Sequence, residues 1–205
     1  MGKQATDRER LDAFLAAYPR LTVITGAGIS HAAGIPTYRD GAGNWRHSEP
    51  VTHREFLTNH SRRQRYWARS LRGWPAVHRA QPTGAHRALA ALESSGCVDT
   101  VITQNVDRLH QQAGSHRVID LHGRLDRVKC LACDATFARE DIQQQLREYN
   151  DDVPLQTAVR PDGDAELPVE VEAAFTVPDC NACGGILMPD VVFFGANVPS
   201  ERVDA

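Results

Sequence analysis

Apolar residues recur at helical spacing in some stretches of the chain and run together in others, and these two patterns alternate. Leu11, Phe14, Leu15 and Tyr18 fall on one helical face, and Thr6 with Glu9 just before them forms an S/T-x-x-E capping box. A helix should therefore begin after Thr6 and end at Tyr18-Pro19. "LTVIT" (21–25) follows, short, β-branched and without alternation, as expected of a strand covered on both faces of a parallel sheet. A glycine-rich loop and then a helix should come next. "GAHRALAALESSG" carries Ala85, Leu89 and Leu92 at helical spacing and closes at Gly96, a C-terminal cap. Two further buried-type strands are predicted at 97–103 ("CVDTVIT") and 117–121 ("RVIDL"). The order predicts an α/β fold, a Rossmann-like parallel sheet with helices on both faces.

Between Cys130 and Cys183 the pattern breaks. This stretch is rich in Asp, Glu and Gln, has few strand signals, and contains the loop-like "YNDDVP" and "VRPDGDAELP". It reads as an insert, after which "PDVVFF" resumes a buried strand. The expected organisation is a Rossmann-like domain made of residues 1–125 and 186–205, interrupted by a small metal-binding domain at 126–185.

The insert is bounded by cysteine pairs, Cys130/Cys133 and Cys180/Cys183, each with C-x-x-C spacing. Two such knuckles can complete the four-sulfur tetrahedron preferred by structural zinc. The 46 residues between the pairs exceed a simple zinc ribbon, so the link should fold as its own lobe. A disulfide fits a cytosolic protein poorly, and a redox C-x-x-C is usually single and opens a helix. One zinc with four sulfur ligands has no open position and should be structural. Cys97 reads as a small buried hydrophobe.

Composition narrows the field. At 205 residues, 41% apolar and 24% charged, the chain has the make-up of an ordinary globular protein. A net charge of −3 provides no electrostatic footprint for nucleic acid, and "SRRQRYWARSLR" (61–72) reads as a solvated helix face. No apolar run approaches the roughly 20 residues of a membrane span, and no signal peptide or transit peptide is evident. "MGKQAT" matches a loose myristoylation pattern, but its Thr6 is better explained by the capping box. The expected location is the cytoplasm, or the mitochondrial matrix in a eukaryote.

Each predicted parallel strand ends in a polar or glycine cluster, and ligands bind at that edge of open α/β sheets. The first end carries Gly26, Ala27 and Gly28, whose backbone N–H groups can cradle a pyrophosphate. The second carries Gln104, Asn105 and Asp107: two amides able to grip hydroxyls, and a carboxylate able to accept from an amide. The third carries His122, a ready general base near neutral pH. Alone, each has a plainer reading, since "QNVD" can cap a helix and a histidine can be structural. Together they suggest a dinucleotide-dependent enzyme with a histidine base. The glycine loop departs from G-x-G-x-x-G, because His31 holds the third position and the next glycine is Gly34.

"GAGIS" with "GIPTYRD", "TQNVDRLHQQAG", "LHG", the two C-x-x-C pairs and "PDVVFFG", in this order, resemble the sirtuin family of NAD-dependent protein lysine deacylases over residues 21–199. "RYWARSLRGWP" followed by "AHRALA" looks like its class II. The resemblance implies NAD bound with its pyrophosphate at Gly26, Ala27 and Gly28 and its nicotinamide near Ile35, Val106 and Asp107. Beyond Ile35 and Pro36, Tyr38 and Arg39 would form a flap over the ribose. Gln104 and Asn105 would contact ribose hydroxyls, Asn105 also a water, and an acyl-lysine protein substrate would enter beside Val192, Phe194 and Gly195. The acyl oxygen would displace nicotinamide, and His122 would then deprotonate the ribose so that its 2′-oxygen attacks the resulting imidate. Nicotinamide, free lysine and 2′-O-acyl-ADP-ribose would be released.

Some positions depart from the family pattern. Thr37 stands where Asp is common, and Ala196 where Glu is frequent. Tyr66 and Arg69 resemble a Y-x-x-R pair that recognises acidic acyl groups in some members, although a helix face is the plainer reading. The family continues after "FGANVP" with a Gly-Thr/Ser-Ser-Leu segment that holds the adenosine half of NAD, whereas this sequence stops at Ala205, which suggests a C-terminally truncated chain. Two alternatives stay open: mono-ADP-ribosyl transfer to protein, and a zinc-stabilised binding module without turnover.

Overall fold

The computed structural model describes residues 6–35, 37, 42–44, 50–153 and 167–205. Helix α1 (Asp7–Ala17) starts where the sequence predicts. Thr6 caps it, the side-chain oxygen accepting from Glu9 N–H while Glu9 reaches back to Thr6 N–H at 2.7 Å. Its apolar stripe exists but is not covered by the described residues: Leu11, Phe14 and Tyr18 are exposed, with the Phe14 and Tyr18 rings 4.9 Å apart.

Strands β1 (Leu21–Thr25), β2 (Val98–Thr103) and β3 (Val118–Asp120) form a parallel sheet in the order β1-β2-β3. Helix α4 (Gly84–Ser94) precedes β2 and buries Ala90 against it, and the short α5 (Leu109–Gln112) connects onwards to β3. β1 is not buried on both faces, for Thr22 and Ile24 alternate outward and Ile24 is 70% exposed. β1 is an edge strand of this sheet with one face open among the described residues, and a β-branched apolar run has the same composition whether one face is covered or two. Cys97, just before β2, is half-buried instead of sealed in the core.

A second, antiparallel sheet has the order β5-β4-β6, built from β4 (Gly123–Cys130), β5 (Thr136–Ala138) and β6 (Leu187–Val191). The buried "PDVVFF" strand thus pairs with β4 instead of extending the parallel sheet. Helix α6 (Arg139–Tyr149) packs on this sheet, the 20-residue α3 (His60–Arg79) packs on α6, and α2 (His53–Thr58) and α7 (Val169–Ala174) pack on α3. The main apolar cluster lies here and includes Phe56, Trp67, Leu71, Val128, Ile142, Leu146, Phe175, Leu187 and Phe193. Each fully buried large apolar side chain of this kind contributes about 1.5–3 kcal/mol.

Helix α6 has no counterpart in the sequence prediction, because its buried face mixes Ile142 and Leu146 with Arg139 and Gln143. The Arg139 guanidinium makes this possible. It lies 4.8 Å from the Trp74 ring centre and donates to Ser70 Oγ, although burial still pushes its pKa down to about 10. The basic stretch 61–72 is a helix face, as expected, but Trp67, Ala68 and Leu71 on its other side belong to the core. Residues 154–166, which include most of "VRPDGDAELP", lie outside the described residues. A last short helix, α8 (Ser200–Val203), is tied back when Arg202 donates to Asp190 of β6 at 3.0 Å.

Candidate functional site

The carboxyl ends of the parallel strands meet through backbone hydrogen bonds. Gln104 N–H donates to Thr25 C=O at 3.0 Å, and Leu121 N–H to Thr103 C=O at 2.9 Å. The glycine loop, the "QNVD" segment and His122 therefore share one edge of the sheet. Gly26 is extended and opens a 3-10 helix (Ala27–Ala33), so the predicted helix starts within the glycine loop, the Gly26 C=O accepting from Ile29 N–H. Among the described residues no side-chain cap bond forms at its start, which leaves the first-turn backbone N–H groups around Ala27 and Gly28 without an intrahelical partner.

A polar network ties this loop to the "QNVD" segment. Asn105 Nδ2 donates to Gly26 C=O at 3.1 Å and to Ser30 Oγ at 3.0 Å, and Ser30 Oγ donates to Asp107 Oδ2 at 2.6 Å. Both Nδ2 hydrogens of Asn105 are thereby taken, and its Oδ1 is what it can offer a hydroxyl or a water. Asp107 Oδ1 accepts from Leu109 N–H at 2.9 Å, starting α5, and each carboxylate oxygen keeps a further lone pair. Ser30 is fully buried. It has no role in the sequence reading beyond its place in "GAGIS", and a serine directly after a glycine loop is the signal that could have drawn attention to it.

His122 sits half-buried in the turn between β3 and β4, the point where one sheet passes into the other. Its C=O accepts from Val192 N–H at 2.8 Å, which brings the end of β6 beside it. Val192 is half-buried, Phe194 and Gly195 are exposed, and Phe194 C=O accepts from His53 N–H. The "QNVD" segment is held from the β4 side too, since Leu125 N–H donates to Val106 C=O at 2.9 Å. Ile35 is half-buried behind the glycine loop, whereas Pro36, Tyr38 and Arg39 lie outside the described residues.

Gly123 follows His122 at φ +84°, and a Cβ there would stand 2.1 Å from Asp190 C=O. Gly123→Ala is therefore expected to lower stability by about 2–4 kcal/mol, combining a backbone clash with left-handed strain. Urea unfolding of the two proteins measures it, and a loss below about 1 kcal/mol would mean that β6 moves aside without difficulty.

Behind the network lie two fully buried histidines, His86 and His110. Burial, together with the neighbouring His86 ring, pushes His110 down to about 4, against an opposing pull from Asp107; burial lowers His86 as well. The unfolded chain takes up these protons near its ordinary pKa of about 6.5. The stability of the neutral rings is thus fully present above that value and is lost as pH falls towards 4. From about pH 7.5 to about pH 5, His110 alone should remove about 2 kcal/mol. Urea unfolding at the two pH values checks this, and His110→Gln should flatten the difference by that amount.

The four cysteine sulfurs of the insert lie within 4.8 Å of one another, with Cys130 Sγ 3.5 Å from Cys183 Sγ and Cys133 Sγ 3.8 Å from Cys180 Sγ. A zinc–sulfur bond of about 2.3 Å in a tetrahedron requires sulfurs about 3.8 Å apart, so the set fits zinc. Ala132 N–H donates to Cys130 Sγ, and this bond leads in pulling that thiol down to about 7, towards the thiolate a metal needs. Gly185 belongs to the same cage: a Cβ there would press on Cys130 Sγ at 2.8 Å.

A model of the Sir2 family matches residues 26–205. An NAD-dependent protein deacetylase of Xanthomonas axonopodis pv. citri (strain 306) is 51% identical over 201 residues, covering 98% of this chain and 69% of the relative. The NAD-dependent protein deacylase Sirt4 of Drosophila melanogaster is 46% identical over 97% of this chain and 65% of its own length. A solved structure described as "Sir2-p53 peptide-NAD+" superposes with a TM-score of 0.74 at 30% identity, covering 97% of this chain and 69% of that one. Glycine loop, polar network, histidine turn and four-cysteine cage thus stand on a Rossmann-like parallel sheet with a small metal lobe, and the chain belongs to the Sir2 family.

Proposed function

We propose that this protein is an NAD-dependent protein lysine deacylase, acting on acetyl-lysine by default and releasing nicotinamide and 2′-O-acyl-ADP-ribose. The observation that carries the reading is the convergence of Gly26–Gly28, Asn105–Asp107 and His122 on one sheet edge, with β6 hydrogen-bonded to His122. The deacetylase and deacylase relatives support the reaction class.

NAD and the acyl-lysine are both substrates. Backbone donors at Ala27 and Gly28 bind the pyrophosphate, while Ile35, Val106 and Asp107 face the nicotinamide. Gln104 and Asn105 position the ribose, and Pro36, Tyr38 and Arg39 belong to the flap over it. The substrate backbone pairs beside Val192, Phe194 and Gly195. His122 accepts the ribose 2′-hydroxyl proton and the 2′-oxygen attacks the acyl carbon, whose oxygen has already replaced nicotinamide at C1′. The lysine nitrogen leaves, and a water then adds to that carbon and frees the 1′-oxygen as a hydroxyl, which leaves the 2′-ester. The zinc holds the lobe and takes no part in these steps.

The same reading includes the division into an NAD-binding domain (1–125 and 186–205) and a zinc domain (126–185), class II membership, and a cytoplasmic location. The cysteine positions support the division. Among the described residues no helix is long and apolar enough to cross a membrane. Tyr66 packs on Phe193, with ring centres 5.1 Å apart, and Arg69 Nε meets Glu172 at 3.2 Å. Both contacts support a place in the α3 packing for the Y-x-x-R pair.

Mass spectrometry of an acetyl-lysine peptide incubated with NAD tests the proposal. Loss of the acetyl mass from the peptide, matched by 2′-O-acetyl-ADP-ribose, is the expected result. ADP-ribose on protein without deacylation would replace this reading with mono-ADP-ribosyl transfer, and NAD left intact would leave a binding module.

A further inference from the structure

Arg108, directly after Asp107, holds a left-handed backbone conformation that favours glycine, at φ +67° and ψ +15°. Besides glycines, only Asp134 shares it among the described residues. The conformation has a local result. With Arg108 turned this way, the next amide, Leu109 N–H, points back to Asp107 Oδ1 at 2.9 Å, while Asp107 Oδ2 accepts from Ser30 Oγ. The Asp107 carboxylate is therefore oriented in part by the strained backbone of its neighbour. A residue with a Cβ keeps such a conformation only where its surroundings hold it there.

The side chain shows what holds it. Arg108 Nη1 donates to Asp120 Oδ2, and the other oxygen of Asp120 accepts from Gln111 Nε2 at 2.9 Å. Arg108 Nε lies 3.8 Å from Asp126 Oδ2. Asp126 is already bonded to Arg124 through both oxygens at 2.5 Å, so Asp120 is the main partner. The Arg108 and Asp120 side chains are each only 20% exposed, which screens their attraction less than on an open surface. Asp120 ends β3 just before the His122 turn, and Asp126 lies on β4 just after it. One side chain thus reaches both strands that flank His122.

We propose that Arg108 is a positioning residue: its guanidinium, anchored to β3 and β4 through Asp120 and Asp126, holds the segment Asn105–Asp107 at a fixed separation from His122 and keeps the Asp107 carboxylate in its orientation. The bond from Leu125 N–H to Val106 C=O joins the same segment to β4, so the clamp tightens a joint the backbone has already made. Glycine at this position would relieve the backbone and lose the clamp, and arginine does the reverse. Arg108 acts through Asp107 and His122 and is not among the residues that meet NAD or acyl-lysine.

The catalytic part of this inference rests on the proposed deacylase activity, and the test separates the two. Arg108→Gly suits the left-handed backbone without the clamp. It should lower kcat for deacylation about tenfold, with KM for acetyl peptide unchanged and the thermal midpoint moved by no more than a few degrees. Arg108→Lys keeps a cation that reaches Asp120 and should recover most of the loss. Asp120→Ala should reproduce the loss, and the double variant with Arg108→Gly should be no slower than either single one. Full activity in the Gly variant, equal losses in the Gly and Lys variants, or losses that multiply in the double variant overturn the positioning role. Hydrogen exchange of the ligand-free chain reads the clamp without turnover. The Leu109 amide should exchange about tenfold faster in Asp120→Ala, while the amides of β2 keep their protection. Unchanged exchange at Leu109 overturns the clamp. If the unsubstituted chain shows no deacylation, the activity reading fails while the exchange at Leu109 still decides the clamp.

Discussion

His122→Ala lowers the rate of deacylation by about 10²- to 10⁴-fold, the range for removing a positioned general base. His122 is the one titratable side chain in the turn that joins the two sheets, and its C=O accepts from Val192 N–H at the strand end proposed for substrate entry. In the proposed reaction its proton transfer follows the departure of nicotinamide. The variant should therefore still exchange labelled nicotinamide into NAD in the presence of acyl peptide, while failing to release free lysine. Rapid-quench analysis of both products reads the two steps separately. Parallel loss of exchange and deacylation would move His122 from base to binding, and unchanged deacylation would remove it from the mechanism.

Loss of the zinc is expected to have the largest effect on folding. Structural zinc sites contribute apparent binding free energies of about 10–16 kcal/mol near neutral pH, more than the whole stability of most domains. Cys130 ends β4, and Cys180 and Cys183 lead into β6 just ahead of Leu187, so the cage clamps β4 to β6 at one end of the antiparallel sheet. Cys130→Ser, or exhaustive chelation, should abolish one zinc per chain and expose the amides of β4 and β6 to hydrogen exchange. Activity should fall with it, because β6 leads to Val192 and its bond to His122. Metal analysis beside the exchange measurement checks both parts. Folded, exchange-protected protein without zinc would overturn the assignment.

Much of the local structure was legible because it rests on short-range chemistry. The Thr6–Glu9 capping box fixes the start of α1 within four residues of chain, and Gly96 at φ +80° ends α4 as a residue without Cβ can. The β-branched runs became strands with the expected ends to within a residue or two. What failed to read was burial. "LTVIT" looks the same in an edge strand as in a central one, and α6 hides its core face because Arg139 and Gln143 find partners on α3 that are remote in sequence.

The sequence by itself determined the metal-ligand spacing, the glycine loop, the "QNVD" and His122 motifs and their order along the chain. All of these are patterns of residue type and separation, which need no neighbours to be recognised. Tertiary structure alone decided that "PDVVFF" pairs antiparallel with β4, that the main apolar cluster lies beside the antiparallel sheet, and that Ser30, Thr25, Thr103 and the His86–His110 pair stand behind Asn105. Nearly all of these contacts join residues remote from each other in sequence, and a hydrogen bond carries no trace in the composition of either partner's neighbours. A buried histidine reads as one more polar letter until a fold places another against it.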